Sequence, residues 1–381
     1  MARLGDVCEV INGFAFKSEQ YVDSGIRIIR IANVQKGYLE DAAPVFYPSE
    51  SKEAKKYSLV EDDILMSLTG NVGRVAKLSR EFLPAALNQR VACLRIKDGV
   101  DIDKAFLFNL LNSDYFEQQC ISASKGVAQK NMSTEWLKEY EIPIFSLERQ
   151  RLIAGILDKT TELISLRKQQ LAKLDELVKA RFVELFGAVS AEKCTKRIND
   201  YAEVLGGFAF KSDLFCSNAI PVIRISNINN GCIELDYNTC FEESFWEQNK
   251  KFRAKRNDIL MAMSGATTGK AGIFKEDMPA LINQRVACIR AKDGIACPMF
   301  LFVATQLEWM YDLIQETSAG CAQPNISGKQ IENMPVPDVT YEQQRQFATF
   351  VEHVDKSKSA VQQSIDQLET LKKSLMQKYF G

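Results

Sequence analysis

The chain of 381 residues contains one histidine, His353, and nowhere spells Cys-x-x-Cys although it holds 10 cysteines. The common zinc sites need closely spaced ligand pairs, so no metal is expected. No signal-peptide pattern opens the sequence, and cysteines sit in apolar settings such as Val91-Ala92-Cys93. They read as reduced thiols of a cytoplasmic protein rather than a disulfide frame. No apolar run approaches the roughly 20 residues of a membrane helix. An excess of one charge is missing too: 48 Lys and Arg stand against 49 Asp and Glu, a net charge of -1. Bulk attraction to nucleic acid or membrane is thereby excluded, but local basic patches are not. An apolar share of 46% and a charged share of 25% are those of an ordinary globular protein, long enough for two or three domains.

Glycine and proline nearly vanish between Glu148 and Phe186, and again between Glu342 and Phe380. A 4-3 alternation through the first stretch visits Ile153, Leu157, Thr160, Ile164, Arg167, Leu171, Leu174, Val178, Arg181 and Leu185. In the second it visits Phe347, Val351, Val354, Lys358, Val361, Ile365, Leu368, Lys372, Leu375 and Tyr379. Mostly apolar seams of this length predict two coiled-coil helices, each the other's partner.

What is present twice is nearly everything. Asn88 to Gly99 (NQRVACLRIKDG) returns as Asn283 to Gly294 (NQRVACIRAKDG), with 10 of 12 residues the same at an offset of 195. Gly13-Phe14-Ala15-Phe16-Lys17-Ser18 returns as Gly207 to Ser212, Asp63-Ile64-Leu65-Met66 as Asp258 to Met261, and Phe186-Gly187 as Phe380-Gly381. The chain is two copies of a domain-sized unit. The predicted fold is α+β: mixed domains at 1–147 and 195–340, and helices at 148–187 and 341–381. Strands are expected at Ile26 to Ile31, Asp63 to Met66 and Val91 to Ile96, and single helices over Ile102 to Gln119 and Met299 to Gln315. If a pseudo-two-fold axis relates the copies, the helices must run antiparallel, as in a homodimer fused into one chain. Two heads on a fixed spacer suit an extended ligand with two inverted sites, such as duplex DNA.

The order of GFxFKS, D-I-L, N-Q-R and a long helix after Glu148-x-Gln150-Arg151, all repeated to Glu342-x-Gln344-Arg345, resembles the specificity subunit of type I restriction-modification systems. The resemblance implies two target-recognition domains, each reading half of a split site in double-stranded DNA. It further implies an antiparallel helix pair that docks two methyltransferase subunits. Those would modify adenine with S-adenosylmethionine, and restriction subunits using ATP and Mg could join them. No cofactor is expected on this chain. The sequence holds no Asn-Pro, so it lacks the Asn-Pro-Pro-aromatic element of an adenine methyltransferase. Gly265-Ala266-Thr267-Thr268-Gly269-Lys270-Ala271 is one residue short of a phosphate loop and ends on Ala where Ser or Thr belongs, so it reads as a glycine turn. A stand-alone DNA-binding regulator with the same two heads is the alternative function, and a purely structural adaptor is a third.

Duplication also sorts the candidate DNA contacts. Residues equal in both copies serve the frame or the phosphates; those that differ can read bases. Lys17/Lys211, Arg30/Arg224 and Gln89-Arg90/Gln284-Arg285 are equal, open to both phosphate-contact and frame roles. The divergent candidates form three groups. The first is Lys52, Lys55, Lys56 and Tyr57 against Lys250, Lys251, Arg253, Lys255 and Arg256. The second is Asn71 and Arg74 against Thr267, Thr268 and Lys270. The third is Lys125, Gln129, Lys130 and Asn131 against Gln323 and Asn325. Arg, Asn and Gln are the side chains that read G and A bidentately.

Overall fold

Ile64–Ser67 is buried at every residue, which is why Asp-Ile-Leu-Met shows no polar alternation. Ile64 and Met66 face one core with Ala92 and Leu94, while Leu65 faces another with Val91 and Cys93. A strand covered on both faces organises each half of the molecule. The computed structural model describes residues 1–41, 43–124, 131–229, 231–318 and 324–381. It divides into two units, Met1–Lys168 with Gln363–Gly381, and Gln169–Gln362.

In the first unit the central sheet runs Cys8–Asn12, Val91–Ile96, Ile64–Ser67, Val75–Lys77, all antiparallel. A second sheet sets Ile26–Ile29 antiparallel to Phe46–Tyr47 and parallel to Ala85–Leu87. The second unit repeats both sheets with Ala202–Gly206, Val286–Ala291, Ile259–Ala262 and Ala271–Ile273, and with Cys240–Phe241, Ile220–Ile223 and Leu281–Ile282. It extends the first of these by Cys232–Ile233 and Ile228–Asn229.

The single helix expected over Ile102 to Gln119 is two helices, Lys104–Leu111 and Asp114–Ala123. Ser113 breaks it: its hydroxyl accepts from Phe116 N–H at 3.1 Å and caps a new helix, while the apolar spacing continues unchanged across the break. The helix expected over Met299 to Gln315 is likewise Pro298–Thr305 and Glu308–Ser318.

The two long helices are Leu147–Phe186 and Tyr341–Phe380, 40 residues each, or about 60 Å. Within the first unit, Ile153 and Leu157 near the start of one helix share a core with Leu375, Met376 and Phe380 near the end of the other. Within the second, Val178 and Phe182 share a core with Phe347, Val351 and Val354. The helix segments in each unit are therefore antiparallel. The seam follows the expected apolar positions to Val178, passing over the exposed Arg167, and then departs. Leu185 is 43% exposed and Phe182 is fully buried, its ring 5.3 Å from that of Phe300. A 3.6-residue turn drifts about 20° per heptad from a 3.5 repeat, which lets Phe182 take over where the helix meets its head.

The Gln of each Glu-x-Gln-Arg motif fastens helix to head. Gln150 is fully buried; its Oε1 accepts from Asp103 N–H at 2.7 Å, and its Nε2 donates to Asp101 O at 3.1 Å and Phe145 O at 2.8 Å. Gln344 repeats this with Cys297 N–H at 2.8 Å, Ile295 O at 3.3 Å and Val339 O at 3.0 Å. Gln150→Ala strands three backbone groups at once. A loss of about 1–3 kcal/mol is expected by chemical denaturation; a change below about 0.5 kcal/mol would assign the fastening elsewhere.

Candidate nucleic-acid interface

The Gly-Phe motif and the Asn-Gln-Arg turn meet backbone to backbone. A Cβ on Gly13 would lie 2.2 Å from Asn88 O, and one on Gly207 would lie 2.2 Å from Asn283 O, so only glycine fits either position. Phe14 N–H donates to Leu87 O and Gln89 N–H to Phe14 O, both at 2.9 Å; the second unit repeats the lacing at 2.8 Å. Each Asn closes its turn, Asn88 Oδ1 accepting from Arg90 N–H at 3.3 Å and Asn283 Oδ1 from Arg285 N–H at 3.2 Å.

Two more segments join the turn. Leu68 N–H donates to Arg90 O at 3.0 Å and Met132 N–H to Leu68 O at 2.9 Å. In the second unit Met263 N–H donates to Arg285 O and Ile326 N–H to Met263 O, both at 2.9 Å. The other side is aromatic. Tyr57 stacks on Phe14 at 5.4 Å, and Phe252 packs on Phe208 at 5.2 Å. Each unit thus gathers five candidate segments, far apart in sequence, at one edge.

The invariant set is exposed there. Lys17, Arg90, Lys211 and Arg285 are solvent-facing and their side chains form no ion pair among the described residues. The Arg backbones build the turn while the guanidiniums stay free for a ligand. Arg30 and Arg224 differ: they donate to Ala43 O at 2.8 Å and Thr239 Oγ1 at 3.0 Å, which fits the frame role.

The divergent set is split. Lys52 is exposed with no ion pair among the described residues, Lys55 pairs with Glu50 at 3.0 Å, and Lys56 lies 5.6 Å from the Tyr57 ring centre. These residues form a short helix, Lys52–Lys56. Lys250 and Lys255 are exposed and form no ion pair among the described residues, while Lys251 lies over the Phe252 ring. Arg253 is bound within the head: it donates to Trp246 O and Glu247 O, each at 2.7 Å, and stacks on the Trp246 ring at 3.7 Å. Arg256 pairs with the exposed Asp277 at 2.7 Å. Arg253→Ala should therefore cost about 1–3 kcal/mol of stability, and Arg256→Ala at most about 1 kcal/mol. Equal melting shifts in the two variants would contradict this assignment.

Asn71 is exposed and its carbonyl accepts from Ser67 Oγ. Arg74 is half-buried and donates to Gln35 Oε1 at 2.6 Å. Thr268 is buried, its hydroxyl donating to Gly265 O at 2.8 Å, so it holds the turn rather than facing a ligand; Thr267 is half-buried and Lys270 exposed. Asn131 and Asn325 are exposed beside this turn, Asn131 accepting from Thr69 Oγ1 at 2.9 Å. Lys125, Gln129, Lys130 and Gln323 lie outside the described residues.

One buried ion pair repeats in each unit, at the end of the central strands away from the Arg90 or Arg285 turn. Asp63 is 3% exposed and accepts from Arg95 Nε at 2.9 Å and from its NH2 at 2.6 Å. Asp258 pairs with Arg290 at 2.8 and 2.6 Å in the same way. Both arginines titrate above their ordinary value, chiefly because the carboxylate hydrogen-bonds their charged form. The neighbouring Cys93 and Cys288 thiols are pushed up by burial, away from thiolate chemistry. Sequence reasoning passed over these pairs. Their signal was a charged residue repeated in both copies beside an apolar strand.

Among the described residues no three His, Cys, Asp or Glu side chains converge as metal ligands, and no helix is long and apolar enough to cross a membrane. The family profile described as type I restriction modification DNA specificity domain matches residues 1–176 and 192–370. The chain is 24% identical to the type I restriction enzyme EcoBI specificity subunit of Escherichia coli, over 99% of this chain and 84% of that one. It is 23% identical to the MjaVIII specificity subunit of Methanocaldococcus jannaschii, over 84% and 79%. A type I restriction-modification S subunit from M. genitalium shares the fold with a TM-score of 0.55 at 16% identity, covering 100% of this chain and 95% of that one.

Proposed function

The chain belongs to the type I restriction-modification DNA specificity family, and from that premise we propose that each unit reads one half of a split duplex site. It is the non-catalytic DNA sequence-recognition subunit of a restriction-modification complex. In our reading the target-recognition domains are 1–147 and 195–340, and the spacer helices are 148–187 and 341–381. An approximate two-fold axis relates the copies, and the antiparallel helices set the gap between half-sites.

The observation that supports this most is the repeated edge. Lys17 and Arg90 in one unit and Lys211 and Arg285 in the other are exposed and form no ion pair among the described residues, on segments tied by matching backbone hydrogen bonds. They fit phosphates, which position a protein without regard to sequence. Lys52 and Asn71 in the first unit, and Lys255 and Lys270 in the second, stand exposed near them and differ between the copies, whereas Lys250 matches Lys55 at an offset of 195. Base selection belongs to this divergent set; Asn131 and Asn325, equal in both copies, lie beside it as contacts that do not depend on sequence. Arg253 and Thr268 are withdrawn from direct contact because their polar groups are spent inside the head.

The first long helix also carries Leu152, Ile156, Leu163, Leu166 and Leu177 on its exposed side. Solvent-facing leucines in such number suit a covering protein. Two methyltransferase subunits holding S-adenosylmethionine are the partners this reading assigns, with restriction subunits using ATP and Mg as further members. Exchanging residues 1–147 for those of a relative tests the reading. One half of the methylated motif should change and the other should persist; change in both halves would show that the units do not read independently.

A further inference from the structure

Cys216 and Cys240 face each other on neighbouring antiparallel segments of the second unit. Cys216 N–H donates to Cys240 O at 3.0 Å, and Cys240 N–H donates to Cys216 O at 2.9 Å. Residues that exchange both hydrogen bonds have Cα atoms about 5.5 Å apart. That falls within the roughly 4.4–6.8 Å window of a disulfide, and directly opposed residues project to the same face of the sheet. The Cys216 Sγ already lies 3.6 Å from the Cys240 carbonyl oxygen. Their exposures differ: Cys216 faces solvent and Cys240 is fully buried. One thiol is open to an oxidant and the other is sheltered beside it.

The first unit has no such pair. At an offset of 194 the same bridge is Val22 opposite Phe46. The second-unit bridge also borders the edge that carries the proposed DNA contacts. Cys216 lies five residues after Lys211, and Cys240–Phe241 pairs with Ile220–Ile223. That strand pairs in turn with Leu281–Ile282, which leads into the turn of Arg285.

We propose that Cys216 and Cys240 are a peroxide-sensitive modification site, closing to a reversible disulfide in the second unit alone. The Cys216 thiolate attacks the peroxide oxygen, its S–O bond forms as the O–O bond breaks, and hydroxide leaves to take up a proton as water. The Cys240 thiol then attacks the sulfenic sulfur, and the hydroxyl departs with a proton as a second water. Two thiols are oxidised to one disulfide and one hydrogen peroxide is reduced to two waters. A hydrogen-bonded pair holds its Cβ atoms somewhat far apart, so the bond forms under strain and is readily reduced by a dithiol. Closure pins the segment after Lys211 to its neighbouring strand, leaving the first unit as it was.

The test uses the full chain, hydrogen peroxide, alkylation of remaining thiols and peptide mass mapping. Cys232 is exposed and its strand partners are Asn229 and Ile273, so it supplies an internal control without a facing thiol. The expected product joins the peptides of Cys216 and Cys240 within one molecule and disappears on treatment with dithiothreitol. Cys216→Ser, a change at an exposed position, should abolish it while Cys232 still oxidises. Cys216 recovered as sulfinic acid, linked between molecules, or still a free thiol when Cys232 is oxidised would overturn the proposal. None of these outcomes depends on DNA binding.

Discussion

Replacing Arg290 with methionine should lower the unfolding free energy by about 3–5 kcal/mol, the usual consequence of leaving a buried carboxylate without its partner. Asp258 is 3% exposed and receives two hydrogen bonds from Arg290 and one from Lys255 N–H at 2.7 Å. Methionine keeps most of the stem volume and removes the guanidinium. The remaining backbone donor cannot balance the charge, and Asp258 then lies in apolar surroundings at the start of Ile259–Ala262. Urea denaturation of Arg290→Met against the parent measures the loss. Arg95→Met is the matching change in the first unit; it should cost somewhat less, because Arg95 is 37% exposed against 21% for Arg290. A loss under about 1 kcal/mol in both would mean that these pairs do not hold the start of each central strand in place.

The second large effect concerns binding with the fold left alone. Arg90→Ala and Arg285→Ala together should weaken DNA binding by about 3 kcal/mol, roughly a hundredfold, if each guanidinium makes one charge-assisted phosphate contact. The salt slope should fall by about one per residue removed. Thermal stability should not move, because the backbone of each Arg, not its side chain, takes part in the turn. The loss should be the same on cognate and unrelated duplexes, since phosphate contacts carry no sequence. A loss confined to the cognate site would instead make these arginines base readers.

Much of this was legible before any coordinates. The glycine-poor stretches announced two long helices, and the duplication announced two mixed units. The apolar part of the seam to Val178 follows from spacing alone, although Arg167 stays exposed. What the spacing hides is competition. Ser113 ends a helix whose apolar pattern runs straight past it, because a capping hydroxyl acts locally whereas periodicity is averaged over several turns. Phe182 displaces Leu185 from the core because a head packs against the helix there, a tertiary contact with no signature in the heptad.

At the interface, duplication marked Lys17, Arg90, Lys211 and Arg285 as equal but left two roles open for them. Only their exposure, and the absence of an ion pair among the described residues, separates them from Arg30 and Arg224, which hydrogen-bond within the frame. Arg253 shows the opposite limit. In sequence it belongs to the densest basic run, from Lys250 to Arg256, yet two carbonyls and an indole hold it. Charge density in a sequence counts side chains; it does not reveal which of them the fold has already used.

The central claim is that this chain chooses the DNA sequence that a methyltransferase modifies. Genome-wide mapping of methylated adenine, in otherwise identical cells with and without the chain and with the methyltransferase expressed in both, tests it most directly. The account predicts that methylation of one split, adenine-containing motif disappears with the chain and returns when it is restored. An unchanged methylation map in cells lacking the chain would contradict it.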